Sequence, residues 1–510
     1  ESAFLAFDPV NPEWIYAGCY QGIIGAYNEK TEESKDIMAY PRIGLATPPI
    51  EQKYRFNWNA PIIAQPQNPD VIYHAGNKVL RTEDGGITWE EISPDLTRDE
   101  EDKQSDGGGP ITNEGAGGEI YNTIAYLTAS PHEAGVLWAG SDDGLVHLTR
   151  NEGESWDNVT PPGVGEALIN SIEVSPHNPS AAYVVATKYK FDDPTPMIYY
   201  TSNWGKSWTE ITDGIDEKAF VRVVREDRKE QGLLYAGTER GLYVSFNNGQ
   251  QWQPFQSNLP VTPIADLAIA DNDLVAATIG RAFWILDDLG PLQQSMGELD
   301  DDAMVFEPKP TYHLDGGGRF RGGRAIGSNP PTGVIISYYL PENMEEEELT
   351  MQIIDDNDNI IRSYSNQKNE GFKRWPGGPS PEATFASKEG VNRFNWDFRR
   401  EGAPGIEGVF VNGDYRGSRV APGDYTIRLV TPQGNVEAEV EVIKDPRLTH
   451  VNEEDYEEQQ EMLMTLDRTI GEIHNSVIEM RDVRKQIKAL NESIKGQKGA
   501  EELVELDRKS

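Results

Sequence analysis

One octet recurs four times in the first half of this chain, and it constrains the fold more than any other feature. It reads Thr82-Glu83-Asp84-Gly85-Gly86-Ile87-Thr88-Trp89, then Thr149-Arg150-Asn151-Glu152-Gly153-Glu154-Ser155-Trp156, then Thr201-Ser202-Asn203-Trp204-Gly205-Lys206-Ser207-Trp208. A looser copy is Ser245-Phe246-Asn247-Asn248-Gly249-Gln250-Gln251-Trp252. The chemistry is that of a turn. Asp84, Asn151, Asn203 and Asn247 can each accept hydrogen bonds from backbone N–H groups of a tight loop. The glycine at the fifth position takes a positive φ that other residues resist. Trp89, Trp156, Trp208 and Trp252 begin the next strand and supply large surfaces for packing between sheets. These residues are therefore read as structural.

This octet is an Asp box, and each copy follows an apolar strand ending in small residues. Such strands read Ile15-Tyr16-Ala17-Gly18, Ile72-Tyr73-His74-Ala75-Gly76, Leu137-Trp138-Ala139-Gly140, Ala182-Tyr183-Val184-Val185-Ala186, Leu234-Tyr235-Ala236-Gly237 and Leu274-Val275-Ala276-Ala277. Several are preceded by a Pro/Asn turn, as in Gln65-Pro66-Gln67-Asn68-Pro69 and Ser175-Pro176-His177-Asn178-Pro179. Strand, Pro/Asn turn, apolar strand, short turn, strand, Asp box and strand make one four-stranded propeller blade. Six such units fit between residues 1 and 288. The first and last lack a clean Asp box. The expectation is a mainly β chain whose residues 1–290 form an Asp-box β-propeller, its ring completed by strands from a missing N-terminal part.

Composition narrows the function classes. The chain has 510 residues with 85 acidic and 46 basic side chains, a formal net charge of −39. Phosphate recognition needs a basic footprint, so nucleic acid is excluded as an expected partner. No run of about 18 apolar residues occurs, so no membrane span is expected. Cys19 is the only cysteine, which rules out an internal disulfide, and its apolar run makes it a small buried residue. The first residue is Glu rather than Met and opens into a strand-like run, Ala3 to Phe7, so a trimmed or cleaved piece of something longer is expected.

In a meandering blade, the Asp boxes and Pro/Asn turns share one face and the turns between strands two and three lie on the other. Ligands are expected on that second face. It should carry Tyr20-Gln21-Gly22, Asn77-Lys78, Asp142-Asp143-Gly144, the Lys188–Pro196 insertion with Asp192 and Asp193, Glu239-Arg240-Gly241 and Gly280-Arg281. The long polar insertion from Leu96 to Gly118 should rise there too, bringing Glu119 near the channel. Candidate catalytic acids are Asp142, Asp143, Asp193 and Glu119, and candidate ligand-binding cations are Arg240 and Arg281. Asp-Gly and Glu-Arg-Gly are also ordinary hairpin-turn sequences, so a purely structural role stands beside each. No metal site or cofactor is expected.

Residues 291–447 change character. Val334–Leu340, a hairpin of Leu349–Ile354 and Asn359–Tyr364, Asn392–Asp397, Pro422–Val430 and Val436–Val442 read as strands of an immunoglobulin-like β-sandwich. Asp355-Asp356-Asn357-Asp358 reads as a polar hairpin turn in preference to a calcium loop. The glycines of 316–318 and 322–323 read as a loop, not a phosphate cradle. Residues 448–510 are a helical tail. Its apolar residues are Leu463, Leu466, Ile470, Ile473, Val477, Met480, Val483, Ile487, Leu490 and Ile494, spaced three and four apart with one slip of three after Met480. Gly496 breaks the pattern, and Ala500–Leu506 could begin a return helix. A helical hairpin and an intermolecular coiled coil both fit.

Val136–Trp156, Gly232–Trp252, Gly280–Asp288, Asn392–Asp397 and Ala421–Tyr425 resemble a large bacterial family of sortilin-like, BNR-repeat propeller proteins, often described as glycosyl hydrolase or exo-sialidase-like. The resemblance runs to about residue 447. It implies a secreted protein of the cell surface, envelope or periplasm, about twice this length, of which this chain would be the C-terminal half. Its partners would then include the N-terminal half of its own chain or other envelope proteins. Sialidases also need an arginine triad and a Tyr/Glu pair, and neither can be placed here; the nearest string to their Phe-Arg-Ile-Pro motif is Tyr40-Pro41-Arg42-Ile43-Gly44. Propeller xyloglucanases use two carboxylates on separate propellers. Two readings follow. One is a propeller that binds glycan or peptide and is a glycoside hydrolase, if it is an enzyme at all. The other is a non-catalytic, sortilin-like binding or scaffold component. Two acids about 5–10 Å apart in a cleft would mark the hydrolase, and a channel plugged by aromatics or by the insertion would mark the binder.

Overall fold

The structure is a computed structural model and describes residues 4–42, 44, 47–105, 120–299, 301–314, 329–413 and 415–493. The chain is mainly β and divides into two compact units, Glu1–Leu289 and Gly290–Ser510.

Among the described residues of the first unit the strands form six antiparallel meanders in chain order, five of four strands and a last one of three. The third, for example, is Ile124–Ala129, Leu137–Ser141, Val146–Thr149 and Asp157–Asn158. The first strands of successive sheets lie side by side, which is the radial order of propeller blades. Period-two alternation explains the packing. Trp138 faces the fourth blade, with Ile169 and Val184, while its neighbours Leu137 and Ala139 face the second, with Tyr73 and Ala75. A middle strand apolar on both sides is thus buried on both sides.

The two end sheets differ. In the last blade, Ala268 pairs with Val275 and Val275 with Ile285, giving one apolar face, and Phe283 on that face is 75% exposed. In the first blade, Phe7 pairs with Ile15 on the corresponding outer face, and Leu5 and Phe7 are exposed. Cys19, expected to be buried, is half-buried because its strand borders this open face.

The four octets form tight turns, each closed by its own Asp or Asn. The Asp84 carboxylate accepts the N–H and hydroxyl of Thr88 at 2.9 and 2.6 Å. Asn151, Asn203 and Asn247 accept the corresponding N–H of Ser155, Ser207 and Gln251. Each box also clasps the blade before it. The indole N–H groups of Trp89, Trp156, Trp208 and Trp252 donate to the carbonyls of Ile37, Ile92, Val159 and Ile211 at 2.7–2.9 Å. The box glycines lie on the same four residues; a Cβ on Gly205 (φ +73°) would stand 2.6 Å from Val159 Cβ. A second clasp runs forward from the Pro turns. Gln67, His132 and His177 reach the carbonyls of Ser130, Ser175 and Asp227 in the following blade.

The second unit has a three-stranded sheet (Met304–Val305, Val334–Leu340, Gly390–Trp396) and a five-stranded one. The latter orders Thr311–His313, Gly434–Lys444, Gly423–Thr431, Thr350–Ile354 and Ile360–Ser365, with its first pair parallel. Ile336, Tyr338 and Trp396 from one sheet share a core with Met351, Ile353, Ile427 and Leu429 from the other. Asp355 closes its hairpin by accepting the N–H groups of Asn357 and Asn359. A helix of 41 residues follows, Glu453–Ser493. Asn452 and Asp455 cap it reciprocally. It lies against the 404–418 segment, where Asp467 accepts the Ser418 N–H, His474 meets the Pro404 carbonyl and Arg481 donates to the Glu407 carbonyl. The 316–323 glycines and the 496–506 return segment lie outside the described residues.

Candidate functional site

The turns between strands two and three share a face with the connections that lead into each first strand. Backbone bonds tie them together: the Asp142 N–H to the Thr123 carbonyl, Glu239 to Phe220, and Ile279 to Pro263. This is the face without Asp boxes.

Asp142 and Asp143 are neighbours with opposite environments, because successive residues of a strand end point to opposite sides. Asp143 is 0% exposed. It accepts the Ser141 hydroxyl at 2.5 Å, the Asn122 amide at 2.7 Å and the Arg98 backbone N–H at 2.8 Å. Arg98 returns a bond from its guanidinium to the Asp143 carbonyl and another to that of Gly165. Asp143 therefore pins the start of the 96–118 insertion. Gly144 (φ +95°) completes the turn where a Cβ would lie 2.1 Å from the Gly165 carbonyl oxygen.

Asp142 is half-buried. One oxygen accepts the Thr123 N–H at 2.9 Å; the other accepts the Thr123 hydroxyl at 2.7 Å and the Asn57 amide at 3.4 Å. Burial, and then the neighbouring Asp143 carboxylate, push its acid up to about 7 despite these donors and the Lys190 ammonium. It is the one candidate acid the structure describes that combines partial exposure with a raised proton affinity.

The other candidates lie apart in role. Thr195 of the same hairpin holds the Asp193 carboxylate below the usual carboxylate range, first through its hydroxyl and then through its N–H at 3.1 Å. Arg240 pairs with Asp216 at 3.3 Å, and Arg281 is exposed at the turn of the last blade. Glu119 lies outside the described residues.

Trp58, Phe220, Arg222 and Glu166 escaped the sequence reading. Tyr20 stacks on Trp58, with centroids 5.7 Å apart and planes at 28°. Tyr189 stacks on Phe220 at 5.3 Å, with the Arg222 guanidinium over Phe220 at 4.8 Å and bonded to Glu239. Trp58 was detectable as a tryptophan belonging to no Asp box. Lys103, in the insertion, joins Glu166, which also accepts the Tyr121 hydroxyl at 2.5 Å.

The inner strands are bridged by Arg225. Its guanidinium bonds Asp266 at 2.8 Å, the Tyr126 hydroxyl at 3.2 Å and the Leu267 carbonyl at 2.8 Å, and lies 3.5 Å from Glu173. These partners come from the third, fourth and sixth blades, and Phe4 of the first meets Tyr126 edge-on at 5.9 Å. Burial pushes the Glu173 acid up to about 7, against the pull of Arg225.

No family model and no curated protein matches the sequence. Among solved structures, the chain is similar to YCF48 bound to D1 peptide, at 15% identity and a TM-score of 0.38, over 56% of this chain and 78% of that one. It is similar to the GH74 xyloglucanase from Xanthomonas campestris at 15% identity and a TM-score of 0.40, over 83% and 70% of the two chains. For the GH74 enzyme from Niastella koreensis the values are 12% and 0.40, over 86% and 66%.

Proposed function

We propose that the first unit is an extracellular recognition propeller of the sortilin-like, BNR-repeat type, binding a glycan or peptide on the face that carries Asp142. The observation that carries this reading is the division of labour between Asp142 and Asp143. One carboxylate is oriented by Asn57 and Thr123 and open to a ligand, while its neighbour is consumed in holding Arg98 and Asn122. The stacked pairs Tyr20–Trp58 and Tyr189–Phe220 offer aromatic surface on the same face, which suits sugar rings and peptide side chains alike. The Arg225 bridge across the inner strands supports a surface site over one that threads the axis. The open outer faces of the first and last blades support a ring completed by further strands from outside residues 1–290.

A glycoside hydrolase is the second reading, and the raised proton affinity of Asp142 favours it, since a general acid near neutral pH holds its proton in this way. Glycan and peptide arrays, followed by a hydrolysis assay on whatever binds, separate the two. Binding that weakens at least tenfold in Trp58→Ala and Asp142→Asn, without turnover of the bound ligand, is expected. Turnover abolished by Asp142→Asn would replace recognition with hydrolysis.

A further inference from the structure

The helix Glu453–Ser493 is 41 residues long and none of its residues is buried. In folded proteins a helix draws most of its stability from packing one apolar face. Here the face is present and uncovered. Leu466, Ile470, Ile473, Met480, Val483 and Leu490 are between 43% and 62% exposed, while Leu463, Val477 and Ile487 of the same seam are half-buried and the adjoining flank touches the 404–418 segment through Asp467, His474 and Arg481. A shallow groove lies along the stripe, lined by Thr469, Glu472, Ile473, Ser476, Val477 and Met480.

The stripe is symmetric in sequence. Leu463 and Leu490, Leu466 and Ile487, Ile470 and Val483, and Ile473 and Met480 are each equidistant from a point between Ser476 and Val477. A regular three-four seam also reads alike in both directions; the three-residue slip after Met480 sets the centre between Ser476 and Val477, and Val477 alone of the seam from Leu463 to Leu490 has no apolar counterpart across it. A two-fold interface requires that a surface be complementary to itself, and an antiparallel helix pair meets that requirement when its pattern reads alike in both directions. Charge points the same way. Residues 453–473 carry eight carboxylates and one base, whereas residues 474–493 carry three carboxylates and four bases. A parallel pair would set acid on acid; an antiparallel pair sets the acidic half of each helix beside the basic half of the other.

We propose that the chain forms a homodimer through this helix, two copies lying antiparallel about a dyad between Ser476 and Val477. The layers are Leu463 with the other copy's Leu490, Leu466 with Ile487, Ile470 with Val483, and Ile473 with Met480.

The test is light scattering on the 510-residue chain, joined to cysteine cross-linking in a Cys19→Ser background. The expected mass is that of a dimer, and the double variant Ile473→Glu/Met480→Glu is expected to be a monomer with an unchanged circular dichroism spectrum, since both side chains are exposed in the single chain. Ser476→Cys beside the dyad should link to its own copy. Leu463→Cys should not, its copies standing roughly 40 Å apart at 1.5 Å per residue, but should link when mixed with Leu490→Cys. A monomer at every concentration, a dimer unaffected by the glutamates, or self-linking of Leu463→Cys, the mark of a parallel pair, would each overturn the proposal. A monomer whose Ile473→Cys thiol is shielded from reagent would assign the stripe to the chain's own C-terminal segment instead, and overturn it equally.

Discussion

Trp252 donates its indole N–H to the carbonyl oxygen of Ile211 across the boundary between the fourth and fifth blades, at 2.7 Å. Three earlier tryptophans do the same one blade back. The Asp box is thus two devices in one octet: a turn closed by its own Asp or Asn, and a clasp on the preceding blade.

Trp252 is the clearest place to measure the clasp, because it is nearly fully buried. Trp252→Phe keeps most of the ring but leaves the Ile211 carbonyl without its donor, at an expected cost of about 1–2 kcal/mol. Trp252→Ala also opens a cavity, and about 3–5 kcal/mol is expected. Urea unfolding of the two variants resolves the hydrogen bond from the packing. No loss in Trp252→Phe would mean that the bond contributes nothing, and equal losses in the two variants would leave nothing for the packing.

Arg225 should be the most sensitive charged residue in the inner strands. Arg225→Met leaves the half-buried Glu173 without its cation and the Leu267 carbonyl without its donor, at an expected cost of about 1.5–3 kcal/mol. Glu173 is raised from 4.5 to about 7, so in the folded state it holds a proton that the unfolded chain has released between those values. Its ionisation therefore costs stability as pH rises through that window, and the defect of Arg225→Met should be smaller at pH 5 than at pH 8. Glu173→Gln added to Arg225→Met should recover part of the loss. Denaturation midpoints at both pH values check this, and a defect independent of pH would remove Glu173 from the explanation.

How much of this was legible in the sequence depends on the distance over which each feature is made. The boxes were readable because Asp84 and Thr88 lie four residues apart. The clasp partner of Trp208, Val159, lies 49 residues away and was not. Asp142 and Asp143 looked equivalent as letters. What separates them is a strand end that turns one inward onto Arg98, 45 residues distant, and the other toward Asn57, 85 residues distant. Cys19 looked buried in its apolar run and is half-buried, since burial there needs a blade that the first sheet lacks on its outer side. The helical seam was visible throughout, because helix periodicity is local.

His74 should oppose the carboxylates in acid. It is buried and stacked on Phe56 at 4.8 Å, its Nδ1 bonded to the Pro61 carbonyl, and burial lowers it from 6.5 to about 4. A lowered histidine stays neutral in the fold while the unfolded chain takes up a proton. Its contribution is complete above pH 6.5 and is withdrawn as pH falls toward 4, at most by roughly 3 kcal/mol. His74→Gln should be less stable at pH 7, yet lose less on going from pH 7 to pH 5 than the parent does. Parallel profiles would show that His74 is not the group that titrates.

Asp142 gives the prediction that bears on function. Its raised value, about 7 against 3.8, means that the folded state holds its proton where the unfolded state has lost it. Stability should fall as pH rises from 4 to 7, by at most roughly 4 kcal/mol if the whole interval is realised. Asp142→Asn keeps an oxygen for the Thr123 N–H and never ionises, so its advantage over the parent should grow across that window and level off above it. Ligand affinity should separate the roles. If the ligand is bound by the carboxylate, affinity in the parent should rise with pH through about 7 and be weak and flat in Asp142→Asn. If the protonated acid is the working form, as in a hydrolase, activity should decline through the same value. An affinity profile in the parent identical to that of Asp142→Asn would place the ligand elsewhere on the propeller.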